Sequence, residues 1–430
     1  MDTTMIQNIF DIIGSTAFIW APIILAMMAF RLWMWYINEQ FLDGLEWTML
    51  QVRIPEDIAK SPAAMELVFI NALYQTGGYG DWKSKYWDGN LPLWFSLEIV
   101  SIEGSIYFFI RTPKKFKAII ESSIFAQYPK VEINEVPDYA ASVPDFKKDG
   151  EIDVWGSEYK LDKADAWPIK TYIDFGLDKP TKTTEESPDQ RIDPITPLIE
   201  FMGTLGRGEQ AWFQIIVRPA NWARYEWEEE DKDNPGKTKK VVKKWQDHVK
   251  KEIADFKKKF EGKDGKPDKP MSDLEKSQLK AMERSLTKYG FDAGIRAVYV
   301  ANKDAFDKGK GGNFGSSLRQ FNTVEFNSFK GMNGTSVDFP WQDLFGKVVA
   351  KKKKRILSGY KARAWFYPRF DYSKFFKVSQ WINKPAPKDM MVLNTEELAT
   401  IYHFPGRVAE TPTFTRITSK KSEAPSNLPI

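Results

Sequence analysis

The segment from Ile12 to Phe30 constrains this chain more than any other feature, because it runs for about 19 residues without a charged side chain. A helix of about that length crosses the hydrocarbon core of a bilayer. Arg31 follows the segment, and Trp33, Trp35 and Tyr36 come directly after it. A basic residue with clustered aromatic residues is typical of the border of a membrane span. The sequence therefore predicts a transmembrane helix within residues 1–40.

A cleavable signal peptide is the alternative interpretation of this segment. The residues before it include Asp2 and Asp11 but no lysine or arginine, and no small-residue cleavage motif follows the apolar run. Pro22 would break a helix in water, but proline is tolerated in a membrane span. These observations favour an anchor over a signal peptide.

The charges around the segment predict its orientation. Basic residues are absent before the span, whereas Arg31, Arg53 and Lys60 follow it. The positive-inside rule then places the N-terminus outside and the rest of the chain in the cytoplasm. We expect a single-pass protein of the cell (inner) membrane that contacts membrane lipid.

Composition excludes several kinds of site. The chain has 62 basic and 58 acidic residues, so its net charge of +4 does not attract nucleic acid to the whole surface. Cysteine is absent, which excludes disulfide frameworks, thiolate nucleophiles and iron–sulfur clusters. The two histidines, His248 and His403, are too few for a multi-histidine metal site. We expect no cofactor, no metal and no catalytic site.

The region from residue 41 to residue 145 has the order of elements of a ferredoxin-like unit. Alternating apolar residues predict strands, and apolar residues at three- and four-residue steps predict helices. The order is βαββαβ. The predicted elements are a strand at Trp47–Ile54, a helix at Ala63–Tyr74, a hairpin of Leu93–Ile102 and Ser105–Arg111, a helix at Lys114–Tyr128 and a strand at Val131–Val136.

A similar order is predicted for residues 146–370, which gives an α+β fold with an N-terminal transmembrane helix and two ferredoxin-like units. The glycine-rich run Gly309–Ser317 lacks the Lys-Ser/Thr ending of a phosphate-binding loop, so we predict a flexible loop there. The predicted elements of the second unit are strands at Trp167–Phe175, Gln210–Val217, Ile295–Ala301 and Ala362–Tyr367, and helices starting at Thr196 and within Asp304–Phe321.

A charged insertion, residues 221–288, interrupts the second unit. Two helical runs, Lys239–Phe260 and Ser272–Lys288, flank a turn rich in glycine, proline and lysine. Each run has an apolar face, so the sequence predicts a helical hairpin. The hairpin either packs on its own apolar face or contacts a neighbouring subunit.

One dense basic cluster follows the apolar and aromatic segment FPWQDLFGKVV. Such a cluster binds lipid headgroups or the phosphates of nucleic acid. Its alternative role is to keep an exposed helix end soluble. The cluster consists of Lys351, Lys352, Lys353, Lys354 and Arg355.

Three stretches give the chain a resemblance to a known family. They are Leu91–Val136, the segment IRAVYVANKDAF from Ile295 with the QFN and FNSFK motifs after it, and Leu393–Ile430, which contains NTEELA and HFPG. Together they resemble the membrane-associated N-terminal region found in or beside the conjugative DNA-transfer ATPases of type IV secretion systems. No catalytic residue lies in these motifs.

In that family the third stretch immediately precedes the motor domain, which the printed sequence does not include. The resemblance implies the membrane-side half of such a machine, with the motor either on a separate chain or in a further part of the same protein. We expect a non-enzymatic membrane component that docks a hexameric P-loop ATPase. We expect residues 371–430 to form an extended tail that binds the ATPase, since proline-rich extended segments wrap on partner surfaces. The candidate docking residues are Leu393, Glu396, His403 and Pro405.

A different class of function fits the same sequence. The chain is also interpreted as a self-assembling structural protein, a homo-oligomer that forms a ring or lattice at the membrane through sheet edges and the helical hairpin. The sequence leaves contact with nucleic acid open.

Overall fold

The computed structural model describes residues 14–55, 60–74, 80–178, 193–230, 238–260, 270–367 and 390–405. The chain divides into two compact units. The first unit comprises residues 1–45, 77–92 and 366–388, and the second comprises the remainder. Both regions that the sequence assigns to ferredoxin-like units contribute their strands to the second unit.

The first unit is built on helix α1, Ala17–Asp43, a run of 27 residues with Pro22 inside it. Among the described residues it is the one helix long and apolar enough to cross a membrane. Its length and composition suit a membrane span and a signal sequence alike. The helix continues past Arg31, where the uncharged segment ends. A single helical turn, Trp82–Tyr86, also belongs to this unit.

The second unit is organised around a sheet of nine strands, whose paired neighbours all run antiparallel. The strands are β1 Trp47–Arg53, β2 Phe95–Ile102, β3 Ser105–Pro113, β4 Glu132–Val136, β5 Ile152–Leu161, β6 Glu209–Pro219, β9 Gly290–Asn302, β10 Phe329–Met332 and β11 Met391–Asn394. Their order in the sheet is β10-β5-β9-β6-β2-β3-β1-β4, and β11 pairs with the first residues of β9. A separate ribbon pairs β7 Tyr225–Glu230 with β8 Thr238–Lys243.

Eight further helices lie within the described residues. They are α2 Ala63–Val68, α3 Lys117–Gln127, α4 Thr196–Gly203, α5 Trp245–Lys258, α6 Asp273–Leu286, α7 Lys308–Ser317, α8 Lys347–Ala362 and α9 Thr395–Ile401. Helix α2 continues as a π-helical turn, Phe69–Leu73.

Both faces of the sheet are covered. Helices α2, α3, α4, α7 and α9 contribute apolar side chains to the core on one face. Helix α8 and the turn Tyr139–Ser142 contribute to the core on the other face. Strand β9 is buried at every position except its last, as expected for a strand with helices over both faces.

Several predicted elements are confirmed and others are wrong. The strands and helices predicted for residues 47–136 are present, but the strands of both predicted units lie in one continuous sheet of nine strands and do not form two separate small sheets. The strand predicted at Trp167–Phe175 is irregular backbone and turns, and β5 takes its place in the chain order. The predicted strand at Ala362–Tyr367 is absent, since these residues form only the end of α8, a turn and a bend, and β10 takes the place of that strand.

The glycine-rich run Gly309–Ser317 is helical, which corrects the predicted flexible loop. Asp307 caps the helix by accepting a hydrogen bond from the backbone N–H of Gly309 at 2.7 Å. A Cβ atom at Gly311 would lie 2.5 Å from the Trp155 ring, so this glycine allows α7 to approach β5 closely. Gly311 therefore serves the packing of α7 on β5.

The helical hairpin is present as α5 and α6, although the first predicted residues, from Lys239, belong to β8. Trp245, Val249 and Ile253 of α5 pack with Met282 of α6. Ala166 and Val392, which lie outside the hairpin, complete this cluster. The apolar face of the hairpin is thus covered by the chain itself. Residues 261–269, which are all but the last residue of the predicted turn, lie outside the described residues.

Candidate functional site

The segment before helix α8 exposes a group of large apolar side chains. Their exposed fractions are 50% for Phe339, 67% for Trp341, 78% for Leu344 and 74% for Phe345. The Phe339 and Trp341 rings stack, with centroids 4.5 Å apart and an interplanar angle of 9°. Exposed apolar groups of this size mark interaction sites more often than isolated surface residues do.

Hydrogen bonds hold this segment in one conformation. Asp343 accepts from the backbone N–H groups of Val348 at 3.0 Å and Val349 at 2.7 Å, and so caps α8. The Lys148 ammonium donates to the carbonyl oxygen of Phe345 at 2.7 Å. Gly346 links the segment to the helix with φ +67°, a value that favours glycine. The apolar side chains are therefore presented by a defined backbone.

Helix α8 carries seven basic residues and no acidic one. Its apolar residues Ile356, Leu357 and Tyr360 face the core. The opposite face is positively charged and adjoins the exposed aromatic residues. We call this combined region the aromatic–basic surface; it consists of Phe339, Trp341, Leu344, Phe345, Lys347, Lys351, Lys354 and Arg355.

The five residues of the predicted basic cluster do not share one environment. Lys353 forms an ion pair with Asp153 at 2.5 Å, and Lys352 donates to the carbonyl oxygen of Ser336 at 2.8 Å. Lys351, Lys354 and Arg355 are exposed. Two of the five lysine and arginine side chains thus contribute to the fold, and three extend the charged face.

The aromatic–basic surface lies far from the point where the sheet begins. Asp153, the partner of Lys353, is at the sheet end where β1 finishes, whereas Trp47 is at the other end. Five strand positions separate β5 from β1. With about 4.8 Å between strands and about 3.3 Å per strand residue, this separation is on the order of 30 Å.

The predicted docking residues at the C-terminus are buried, which corrects the expectation of an extended tail for residues 391–405. Leu393 lies in β11 and is 0% exposed, and Glu396 lies in α9 and is 2% exposed. His403 and Pro405 are buried as well. None of these four side chains is available to a partner in this structure. The rest of the predicted tail, residues 371–389 and 406–430, lies outside the described residues.

Polar contacts fix the buried C-terminal segment to the second unit. Glu396 forms an ion pair with Arg284 at 2.9 Å and accepts a hydrogen bond from Thr171 at 2.5 Å. Nε2 of His403 lies 3.0 Å from the Asp193 carboxylate. Burial works to raise the pKa of Asp193, but His403 and the hydrogen bond from the backbone N–H of Ile195 together lower it overall. These contacts account for His403 as a structural residue.

Glu397 makes the segment sensitive to pH. It accepts hydrogen bonds from the backbone N–H groups of Asn394 at 2.8 Å and Ile169 at 2.9 Å. Burial, with the charges of Glu396 and Asp165, raises its pKa from 4.5 to about 8, although the two N–H donors act in the opposite direction. The folded state therefore holds a proton that the unfolded chain has released.

We expect the free energy of unfolding to fall as the pH rises from about 4.5 to about 8, because the folded state binds more protons there. Glu397→Gln should reduce this slope, as measured by urea denaturation across that range. Glu200→Gln, on the exposed side of α4, is the matched control and should leave the slope unchanged. Equal slopes for the native protein and Glu397→Gln would contradict the prediction.

His248, the other histidine, is also explained by packing. Its ring stacks on Tyr225, with centroids 4.2 Å apart. Burial lowers its pKa. Across the described ranges, no group of three or more His, Asp or Glu side chains is arranged to hold a metal ion.

The sequence predicted the basic part of the aromatic–basic surface but not its aromatic part. The sequence feature that could have indicated the aromatic part is the FPWQDLFG run, which directly precedes the basic helix. Comparisons of the chain with known family models and with curated proteins find no match. The geometry of the surface and the resemblance noted from the sequence are therefore the basis for assigning a function.

Proposed function

We propose that this chain is a non-enzymatic, membrane-anchored component of a type IV secretion-like machine, and that its aromatic–basic surface docks a P-loop ATPase. The observation that carries the proposal is the exposure of four large apolar side chains beside a helix with seven positive charges. Tryptophan and arginine are enriched among the residues that dominate binding energy at interfaces. The partner is expected to offer an apolar pocket with an acidic rim.

Helix α1 supports the proposed anchorage. No residue of its hydrophobic window is buried in the structure, and exposed apolar surface is unfavourable in water and favourable in lipid. Arg31 and the basic residues after it support a cytoplasmic location for the second unit, in a single-pass protein of the inner membrane.

The geometry of the aromatic–basic surface favours a protein partner over the bilayer. The stacked pair Phe339 and Trp341 forms a rigid apolar projection, which suits a pocket on a partner. Lipid and nucleic acid remain as alternative ligands that the experiment below distinguishes.

We also infer that the sheet consists of two ferredoxin-like units joined edge to edge, the second with the ribbon and helical hairpin inserted. The strand orders support this inference. They are β4-β1-β3-β2 in the first half and β10-β5-β9-β6 in the second. The two halves meet where β2 pairs with β6.

The alternative, self-assembly through sheet edges, has less support. Edge strand β4 carries Glu132 and Glu135, and edge strand β10 has 4 residues. Charged and short edge strands oppose the addition of further strands. A ring or lattice built through these edges is therefore the weaker candidate.

Affinity purification of the full-length protein from its native host in mild detergent tests the docking proposal. The native protein should retain a P-loop ATPase in a fixed ratio, as identified by mass spectrometry. Trp341→Ala with Phe345→Ala should reduce the ATPase about tenfold or more, since interface hot spots contribute about 2 kcal/mol or more. The matched control is Phe125→Ala with Leu274→Ala, which removes exposed apolar side chains elsewhere in the second unit.

A second pair of variants tests the charges. The first variant replaces three surface residues by Gln, Lys351, Lys354 and Arg355, and it should weaken the complex with the ATPase. The second replaces three lysines of the hairpin by Gln, Lys250, Lys276 and Lys280, and it should leave the complex unchanged. Retention of the ATPase by both surface variants would contradict the proposal. Recovery of a large assembly of this chain alone would support the structural alternative. Loss of binding to anionic vesicles or to DNA, with the ATPase retained, would reassign the surface to that ligand.

A further inference from the structure

The segment from Asp81 to Asn90 packs against the C-terminal half of α1 within the first unit. The indole N–H of Trp33 donates to the carbonyl oxygen of Tyr86 at 3.1 Å. The Trp33 and Trp87 rings are 5.7 Å apart, and the Phe30 and Tyr86 rings are 6.1 Å apart. Aromatic residues from two separate parts of the chain thus meet just after the uncharged segment of α1.

A glycine allows this close contact. Gly89 has φ +66°, and a Cβ atom there would lie 2.4 Å from the carbonyl oxygen of Ile37. Ile37 is the buried residue of α1 within its described length. The backbone of the segment therefore touches the backbone of the helix, and any side chain at position 89 would separate them.

The segment has a defined local structure. Asp81 begins the single turn Trp82–Tyr86 by accepting from the backbone N–H of Ser84 at 2.9 Å. The backbone N–H of Asn90 donates to the carbonyl oxygen of Ser84 at 2.9 Å and closes the segment. This framework directs two tryptophan rings outward: Trp82 is 73% exposed and Trp87 is 63% exposed.

The lipid headgroup layer of a bilayer is a favourable environment for exposed tryptophan at this position. An indole ring is apolar over most of its surface and has one polar N–H, so it is most stable at the level of lipid headgroups. Lys83 and Lys85 lie between the two tryptophans, and lysine extends its ammonium toward lipid phosphates while its alkyl chain stays in the apolar layer. On α1, Trp33 and Tyr36 are exposed at the same level as this segment.

We propose that Trp82 and Trp87, together with Trp33 and Tyr36, form an aromatic collar that lies in the headgroup layer of the bilayer and sets the depth of α1. The inference rests on the proposed membrane anchorage and extends it, because it assigns lipid contact to a part of the chain outside the spanning helix. The uncharged segment then lies in the hydrocarbon core, and the single turn Trp82–Tyr86 lies along the interface.

The absence of native cysteine permits a direct measurement of depth. Single cysteines replace Leu25 in α1, Lys83 and Asp88 in the segment, and Val324 in the second unit, which is 97% exposed. Each variant is labelled with a nitroxide in nanodiscs of phosphatidylcholine and phosphatidylglycerol. Accessibility to oxygen against a water-soluble nickel complex gives the depth of each label.

We expect Leu25 in the hydrocarbon core, Val324 in water, and Lys83 and Asp88 on the order of 5 Å from the phosphate level. Trp82→Ala with Trp87→Ala should move the labels at positions 83 and 88 toward water, which is measured as an increase in their accessibility to the nickel complex. Phe339→Ala with Trp341→Ala is the matched control, since it removes exposed aromatic rings from the second unit and should leave those labels in place.

The outcomes separate this inference from the anchorage on which it rests. A label at Leu25 in lipid, with Lys83 and Asp88 fully exposed to the nickel complex, would overturn the collar and leave the anchor intact. Labels at 83 and 88 shielded from both oxygen and nickel would also overturn it, because protein would then cover the segment. A label at Leu25 in water would overturn the membrane anchorage and the collar together.

Discussion

Removal of residues 391–430 is expected to unfold the second unit, whereas removal of residues 406–430 should leave its described part folded. Strand β11 pairs with β9 from Met391 to Asn394, and all 7 residues of α9 are buried. Leu393, Leu398 and Ile401 are each 0% exposed. Truncating one such side chain to Ala costs about 2–5 kcal/mol, and domains have a total stability of about 5–15 kcal/mol. The loss of all these buried side chains together costs more free energy than the total stability of a domain of this kind.

Circular dichroism and limited proteolysis of the full-length and shortened proteins in detergent measure this effect. A single substitution should cause a smaller destabilisation than the deletion. Leu393→Ala should lower the free energy of unfolding by about 2–5 kcal/mol. Leu67→Ala is the matched control, because Leu67 is 46% exposed in α2, and exposed substitutions usually change stability by about 0.5 kcal/mol or less. Cooperative unfolding of a chain that ends at residue 390 would contradict the prediction.

Deletion of the C-terminal segment is therefore not a suitable test of ATPase docking. A protein that lacks residues 393–430 would lose its ATPase because the second unit unfolds, whatever the docking site is. Removal of residues 406–430 alone separates a docking role of the last residues from the structural role of β11 and α9. The surface variants Trp341→Ala with Phe345→Ala avoid the problem, since both side chains are exposed.

Arg363→Ala is expected to have the second large effect, a loss of about 3–5 kcal/mol, because it leaves a buried carboxylate without its partner. Arg363 is 0% exposed and contacts Glu98, which is also 0% exposed, at 3.0 Å. It also forms an ion pair with Asp138 at 2.5 Å. The residue lies at the end of α8 with φ +47°, so the ion pair holds an unfavourable backbone conformation.

Glu98 accepts further hydrogen bonds from three side chains. Ser96 donates to it at 2.5 Å, Tyr139 at 2.6 Å and the Gln214 amide at 3.1 Å. Burial alone would raise the pKa of Glu98, but the Arg363 guanidinium and the hydroxyl groups of Ser96 and Tyr139 lower it overall. The carboxylate is therefore ionised in the folded state, and removal of Arg363 takes away the main group that offsets its burial.

Chemical denaturation at neutral pH measures the cost. Arg355→Ala, an exposed substitution in the same helix, is the matched control and should change stability by about 0.5 kcal/mol or less. The double variant Arg363→Met with Glu98→Gln should recover part of the loss, since it removes both charges. If Arg363→Ala is as stable as the native protein, the ion pair contributes nothing to the fold.

Local patterns predicted many elements correctly. The alternation in Trp47–Ile54 and in the hairpin predicted β1, β2 and β3, and the apolar periodicity of the insertion predicted α5 and α6. Strand β5 was missed because polar and charged residues occupy much of it, and only its pairing between β9 and β10 makes it a strand. Strand β11 was missed because four residues are too short to show a period.

The candidate site was predicted in part for the same reason. The basic cluster could be predicted because it is a run of consecutive lysines in the sequence. The solvent exposure of a side chain cannot be predicted in this way. Phe345 and Leu393 are both large apolar residues, yet Phe345 is 74% exposed and Leu393 is 0% exposed. The sequence motif around Leu393 suggested docking, whereas burial shows that this residue holds the fold together.

By itself, the sequence determined the long apolar helix, most strands and helices of the first half, the helical hairpin and the basic cluster, because each is a pattern among neighbouring residues. Only the tertiary structure decided that the strands form one sheet through the β2–β6 pair, that the C-terminal segment is buried on β9, and that aromatic and basic residues share an exposed surface. These features depend on which distant segments pair and which side chains they cover. Pairing of this kind is set by the packing of the whole chain, which no local period records.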